Sequence, residues 1–394
     1  MRRNLQLDFF RGVMLILITI DHFLSNEDIV KYFTYEFVGW VTAAEGFVFL
    51  SGLTAGIIYT RKLVEKGENF IAEAVKKRAL IIYRNHIAIL VFTLFIILLG
   101  FRIHDYWASY YELFSEKPIS SLLLGMVLLY QPAYLDILPM YAVFILFVPV
   151  VLRCFKKSNV LQIFAVSFLL YLLPIINELY HFVPDIMQIR DVNTGFFNLL
   201  SWQFIFIIGL FSGFSYYQGT SRRYQVNKYL LMLSVLICMV CFIAKNIHVK
   251  LEGLDYLIAR DNLGPLRVFN CLALFFIVIF ISSKYNNWFK SKAICYLGRN
   301  SLEVYSFHIV LVVIFKPLEE YMNSIYSSKL THTFYVFPLA EIMVFLLIIP
   351  ALYLAPTLIS TKTYMFWKSG AGFLPKEGWS SEVDAVTEDY KQLA

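Results

Sequence analysis

Residues 11–22 read Arg11-Gly-Val-Met-Leu-Ile-Leu-Ile-Thr-Ile-Asp21-His22, an apolar run that opens on an arginine and closes on a histidine. The two ends are eleven residues apart, about 1,100° of helical rotation, or about 20° beyond three full turns. One helix face therefore carries both Arg11 and His22, separated by roughly 16 Å along the axis. Asp8 precedes Arg11 by three residues, on nearly the same face. A run this apolar is long enough to enter a membrane, and an ionisable residue inside a span costs at least about 2.5 kcal/mol. Such residues face a bundle interior or a wet cavity. Two readings stand side by side: a buried structural ion pair of Asp8 and Arg11 with His22 hydrogen-bonded at an interface, or a functional stripe in which His22 and the adjacent Asp21 perform chemistry.

The composition around this stretch favours a membrane protein. The 394 residues are 59% hydrophobic and only 16% charged, where a soluble domain carries about 25% charged residues. The net charge of +6 is no nucleic-acid signal, because the basic residues fall in short clusters between apolar runs. The five cysteines lie in or beside apolar segments. Cys238 and Cys241 are three apart on one span and read as small core residues rather than a metal or disulfide pair. Arg2 and Arg3 lead into the first span without a small-residue cleavage site, so no cleaved leader is expected.

Spanning runs are read at 8–25, 40–60, 79–101, 134–153, 159–177, 199–217, 228–246, 267–283, 293–315 and 334–359. This predicts an all-α, polytopic membrane protein of about ten transmembrane helices in one domain, residues 1–360, with both termini cytoplasmic. The run at 119–130, within an outer loop at 102–133, is too short to span and is expected to be re-entrant or interfacial. Residues 61–78 are expected to form a cytoplasmic amphipathic helix, and 361–394 a polar cytoplasmic tail. Basic residues test the orientation. Arg61, Lys62, Lys66, Lys76, Lys77 and Arg78 fall inside, as do Arg153, Lys156, Lys157, Arg222, Arg223, Lys284, Lys290 and Lys292. The opposite loops are richer in acids, among them Glu112, Glu116, Glu178, Asp255 and Asp261.

On this topology the intramembrane polar groups sort into two layers. The outer layer holds His22, Glu45 and His308, with Asp136 and Tyr141 on the fourth span and Asn198, Ser201, Trp202 and Gln203 on the sixth. Asp136, Tyr141, Trp202, Gln203 and His308 are the groups suited to bind a hydroxylated acceptor. The inner layer holds Arg11, Arg78, Arg84, Arg299, Asn300 and Ser301, and arginines at the inner mouth suit a phosphate-bearing ligand from the cytosol. Bland accounts exist: Arg78 as a snorkelling anchor, and the aromatics as an interfacial belt. Glu45 interrupts Val-Thr-Ala-Ala-Glu-Gly-Phe-Val-Phe-Leu-Ser-Gly, a run suited to close helix packing. A carboxylate there needs a partner, and His22 at similar depth is the expected one. A histidine oriented by a carboxylate acts as a general base in acyl transfer, with Asn300, Ser301 or Gln203 as oxyanion donors. The chain contains neither H-E-x-x-H nor a G-x-x-x-x-G-K-[ST] loop, so metalloprotease and ATP-driven readings lack support.

The segments LDFFRG…IDHF (7–23), AAEGFVFLSG (43–52), LDILPMY (135–141), NLLSWQFIFIIG (198–209) and GRNSLEVYSFH (298–308) resemble the OpgC family, membrane proteins linked to succinylation of osmoregulated periplasmic glucans, within the transmembrane acyltransferase-3 superfamily. That superfamily carries an Arg-(ten residues)-His pattern in its first span, which Arg11 and His22 match, and its histidine is the essential catalytic residue. Its basic residues after the second span handle acyl-CoA, and Arg78 and Arg84 are the positional matches. The resemblance implies an O-acyltransferase of a bacterial inner membrane. It would move a succinyl or acetyl group from cytosolic acyl-CoA to a glycan hydroxyl on the far side. No tightly bound cofactor is expected. The expected partners are acyl-CoA, a glycan acceptor, membrane lipid and a second copy in a homodimer, with nucleic acid excluded. A rival reading is a proton-coupled secondary transporter or flippase using Arg11, His22 and Glu45, although no internal repeat of the kind common in transporters is present. A third is an inactive scaffold, against which the intact Arg11 and His22 argue.

Overall fold

The computed structural model describes residues 4–24, 28–99, 106–107, 110–180, 192–219, 227–247, 254–329 and 339–359. The tail expected at 361–394 lies outside them. Helix α1 (Leu5–Phe23) starts where the Asn4 side chain accepts from the backbone N–H groups of Gln6 and Leu7, a cap worth about 1 kcal/mol. A short α2 (Ile29–Thr34) follows, then α3 (Ala43–Lys66) and α4 (Glu68–Leu99). Two short helices, α5 (Glu112–Glu116) and α6 (Pro118–Met126), precede α7 (Ile137–Lys156) and α8 (Val160–Tyr180). Then come α9 (Leu199–Tyr217), α10 (Lys228–Asn246) and α11 (Pro265–Lys284). The last pieces are α12 (Lys292–Arg299), α13 (Ser301–Lys329) and α14 (Leu339–Met343), which continues through a π turn at Val344–Ile348.

Among the described residues, nine helical stretches are long and apolar enough to cross a membrane. Helix α1 has the length, at 19 residues, but carries Asp8, Arg11 and Asp21 within it. With α1 counted, the helices follow the ten runs read from hydropathy, and the chain is an all-α polytopic membrane protein. Extended pairing among the described residues is confined to an isolated bridge between Tyr130 and Asn193, joining two loops. "Outer" and "inner" below follow the loop charges.

Two departures from the sequence reading have local causes. The stretch 61–78 is not a separate helix. Its first half ends α3 and its second half begins α4, with Gly67 between them at φ +85°, a conformation that glycine adopts without steric cost. The expected span at 293–315 is broken at Asn300 into α12 and α13. The 119–130 segment holds α6, whose nine residues reach only about 14 Å at 1.5 Å per residue.

The core is built on backbone-to-backbone contact between α3 and α9. A Cβ on Gly52 would strike the carbonyl of Phe206, and one on Gly56 the carbonyl of Leu210. Reciprocally, a Cβ on Gly209 would strike the carbonyl of Phe49, and one on Gly213 that of Leu53. Each helix thus presents two glycines four residues apart to the other, the small-residue arrangement that lets membrane helices approach closely. Gly12 of α1 and Gly298 of α12 repeat the device at the inner end, against Ile294 and Asp8.

Candidate active site

Helix α1 delivers His22 to the outer half of the bundle, where α13 presents His308. His22 Nδ1 lies 3.1 Å from His308 Nε2, with the rings stacked at 5.2 Å and 26°. His308 Nδ1 lies 2.6 Å from the carbonyl oxygen of Tyr305. A carbonyl only accepts, so Nδ1 of His308 carries the proton and its Nε2, in the neutral ring, is the acceptor. The N–H of His22 is therefore on Nδ1, donating to His308, and Nε2 of His22 keeps its lone pair. His308 is buried at 1% exposure while His22 is partly exposed.

The wall beside it is aromatic. The edge of Tyr134 meets His22 at 4.7 Å and 69°. Tyr134 packs on Trp107, whose indole N–H donates to the Val313 carbonyl at 3.0 Å. Tyr111 is pinned in the same loop through its hydroxyl to the Ala133 carbonyl at 2.8 Å. At the C-terminal end of α1, Lys316 donates to the Phe23 carbonyl and Lys31 to the Leu24 carbonyl, each at 2.7 Å. Ammonium groups suit the negative end of a helix, and both of these, with Arg260, act electrostatically on His22. Burial pushes the Lys31 ammonium below its ordinary value, an effect Asp21 partly offsets.

The expected pairing of Glu45 with His22 is not what the structure holds. Glu45 is the third residue of a capping box: its carboxylate accepts from the Thr42 backbone N–H at 2.9 Å while the Thr42 hydroxyl caps Ala44. Its other oxygen accepts from Arg267 of α11 at 2.9 Å. Arg267 also pairs with Glu36 at 2.7 Å and donates to the Trp40 carbonyl. This buried triad ties α3, α11 and the segment after α2 together, and Glu45 is fully buried in it. His308, expected among the acceptor contacts, occupies the orienting place instead. Asp21 turns toward α2, accepting from the Thr34 hydroxyl at 3.4 Å, and is not among the hydrogen-bond partners of His22.

Three expected acceptor contacts are already engaged by the protein. Asp136 accepts from the Phe196 N–H at 3.0 Å and is buried. Trp202 is fully buried with its indole N–H on the carbonyls of Arg260 and Asp261. Gln203 accepts from the Ser167 hydroxyl at 2.6 Å and donates to the Ser167 and Leu200 carbonyls. Tyr141 lines a small gap with Phe47, Ser51 and Phe206.

In the inner layer the structure brings Arg11 and Ser301 together, the guanidinium donating to the hydroxyl. Asn300 donates to the Tyr296 carbonyl of its own turn at 2.9 Å, and Arg299 beside it is exposed. Arg78 and Arg84 lie on α4, both half-buried, with Arg78 in electrostatic reach of Tyr59. The described residues hold no group of three or more His, Cys, Asp or Glu side chains placed to bind a metal ion. Sequence reasoning missed Lys31, Arg260, Arg267 and Lys316. For Arg267 a signal existed, an arginine inside the apolar run Pro-Leu-Arg-Val-Phe-Asn.

No curated protein and no solved structure matches the chain. The family model described as OpgC protein matches residues 3–356. By that match, nearly the full length of the membrane domain, the chain belongs to the OpgC family of glucan-modifying membrane proteins.

Proposed function

We propose that this protein is a membrane-embedded O-acyltransferase of the bacterial inner membrane, with its place in the acyltransferase-3 superfamily resting on the Arg11–His22 pattern. It moves an acyl group, succinyl or acetyl, from cytosolic acyl-CoA to a glycan hydroxyl on the far side. The observation that carries this reading is the Tyr305–His308–His22 hydrogen-bond chain, which leaves the His22 Nε2 without a proton, on the ring edge away from the His308 contact. As the acceptor oxygen attacks the thioester carbonyl carbon, His22 Nε2 takes the hydroxyl proton. The carbon–sulfur bond breaks, and the departing thiolate takes that proton back from the imidazolium. His308 does for His22 what a carboxylate does in hydrolase triads: it fixes the tautomer and the ring orientation.

The donor side is read from charge. The phosphates of acyl-CoA dock among Arg78, Arg84 and the exposed Arg299 at the inner face, and the pantetheine arm rises past Arg11 and Ser301 toward His22, roughly 16 Å higher along α1. Lys316 and Lys31, at the end of α1, supply positive field where the tetrahedral oxyanion forms.

The test is transfer of labelled acyl groups from acyl-CoA to glucan by the purified protein in vesicles. His22→Ala should abolish transfer while unfolding as the parent does. Full transfer by that variant removes the mechanism. Thermal unfolding with CoA, acetyl-CoA and succinyl-CoA should show an upward shift, worth about 2.7 kcal/mol at a hundred times the dissociation constant. The absence of any shift at millimolar ligand favours the transporter reading.

A further inference from the structure

A cavity of about 400 Å³ opens on the outer side between α2 and the end of α10, within the about 300–1,000 Å³ of small-molecule sites. Its walls mix ring faces with hydrogen-bonding groups. Among the described residues Tyr32 and Phe37 are 54% and 40% exposed, with Phe33 edge-on to the first at 5.2 Å and tilted against the second at 5.5 Å. Phe37 stands edge-on to Phe242 at 5.9 Å. The Tyr32 hydroxyl donates to the Asn246 side-chain oxygen at 3.0 Å, which leaves both atoms at the rim. Glu36 and Lys31 complete the polar side.

The charges here are met within the protein. Lys245 pairs with Glu36 at 3.4 Å, and Glu36 also holds Arg267. Lys31 has its ammonium on the Leu24 carbonyl and is attracted by Asp21. A near-neutral cleft does not select a phosphate or an anionic headgroup, which would need unspent positive charge. Flat apolar faces flanked by an amide, a hydroxyl and a carboxylate match a pyranose, which has apolar C–H faces and a hydroxyl rim. One wall residue ties the cleft to the end of α1. Lys31, in its wall, donates to Leu24, two residues beyond His22.

We propose that this cleft docks the acceptor saccharide, holding one or more neutral sugar rings against Tyr32 and Phe37 so that an adjoining hydroxyl reaches His22. The proposal rests on the acyltransferase reading and adds the place of acceptor binding.

The experiment is titration of the purified full-length protein in detergent with neutral gluco-oligosaccharides of several linkages, alongside acyl-transfer kinetics in vesicles. Tyr32→Ala and Asn246→Ala should each weaken oligosaccharide binding and raise the acceptor KM by about tenfold, with kcat and acyl-CoA binding unchanged. Tyr32→Phe, which keeps the ring, should retain most of the affinity. Ile29→Ala removes an exposed apolar side chain of α2 outside the cleft and should change nothing. If the parent binds the oligosaccharide and both cleft variants bind it equally well, the docking site is elsewhere and the acyltransferase reading stands. If Ile29→Ala and Tyr32→Ala lose activity alike, in step with vesicle lipid composition, the patch is a membrane contact and the proposal falls. If the parent neither binds nor acylates any saccharide, both readings fall together.

Discussion

Replacing Arg267 by methionine separates a structural role for Glu45 from a catalytic one. Arg267 is 3% exposed and Glu45 fully buried, 2.9 Å apart, with Glu36 on the same guanidinium at 2.7 Å. Arg267→Met strands a buried carboxylate, and breaking a buried pair from one side costs about 3–5 kcal/mol. Glu45→Gln is milder, because Arg267 keeps Glu36 and the Trp40 carbonyl. It loses one charge-assisted hydrogen bond, about 1.5–3 kcal/mol. In the double variant neither charge is left without its partner, so its loss should fall short of the sum by a coupling of about 0.5–3 kcal/mol. Unfolding in detergent, followed by heat or denaturant, measures all three. Acyl transfer is then normalised to the folded fraction. The normalised rate of Glu45→Gln should stay within a few-fold of the parent. Parental stability combined with complete loss of transfer in Glu45→Gln would refute this reasoning and return the carboxylate to His22.

Other expectations are as direct. His308→Phe keeps the stacked ring but removes the acceptor for His22 Nδ1–H, so kcat should fall by about 10²–10⁴ with acceptor KM little changed in steady-state assays. Arg78→Ala should raise the donor KM and leave kcat near the parent's, since its contact is made equally in ground and transition states; lost turnover at unchanged donor affinity would reassign it. Gly213→Val places side-chain atoms on the Leu53 carbonyl, and overpacking of this kind costs about 1–3 kcal/mol or more, read as a lowered Tm. The Lys31 proton is held less tightly in the folded chain than in the unfolded one, so between the depressed folded value and the ordinary lysine value stability rises with pH. The parent should therefore gain Tm relative to Lys31→Met as pH increases through that window.

The spans were legible because an apolar run of twenty residues is a one-dimensional signal. Depth was legible for the same reason: counting along α1 and α13 puts His22 and His308 at one level, and they do meet. Rotation was not. Whether His22 faces Glu45 or His308 depends on how α1 sits between α3 and α13, and no local pattern states that. Glu45 did carry a local clue, Thr42-x-x-Glu45, the capping-box spacing that commits a carboxylate to its own helix start. Its second partner, Arg267, is 222 residues away in sequence and required the folded chain. Asp136, Trp202 and Gln203 carried no such clue: their hydrogen bonds run to backbone and side-chain atoms of neighbouring segments.

The four glycines between α3 and α9 carry a consequence for motion. With carbonyls of each helix seated where a Cβ of the other would lie, a one-turn slip would bring Val48 or Thr60 of α3, or Ile205 or Tyr217 of α9, to places now held by glycine. These two helices must travel as a single body. A rocking cycle that parts them to expose a site first to one side and then to the other would first have to unzip this seam. A static spine suits the proposed transferase, in which donor and acceptor would each come to a stationary histidine from opposite faces and only the acyl group would cross.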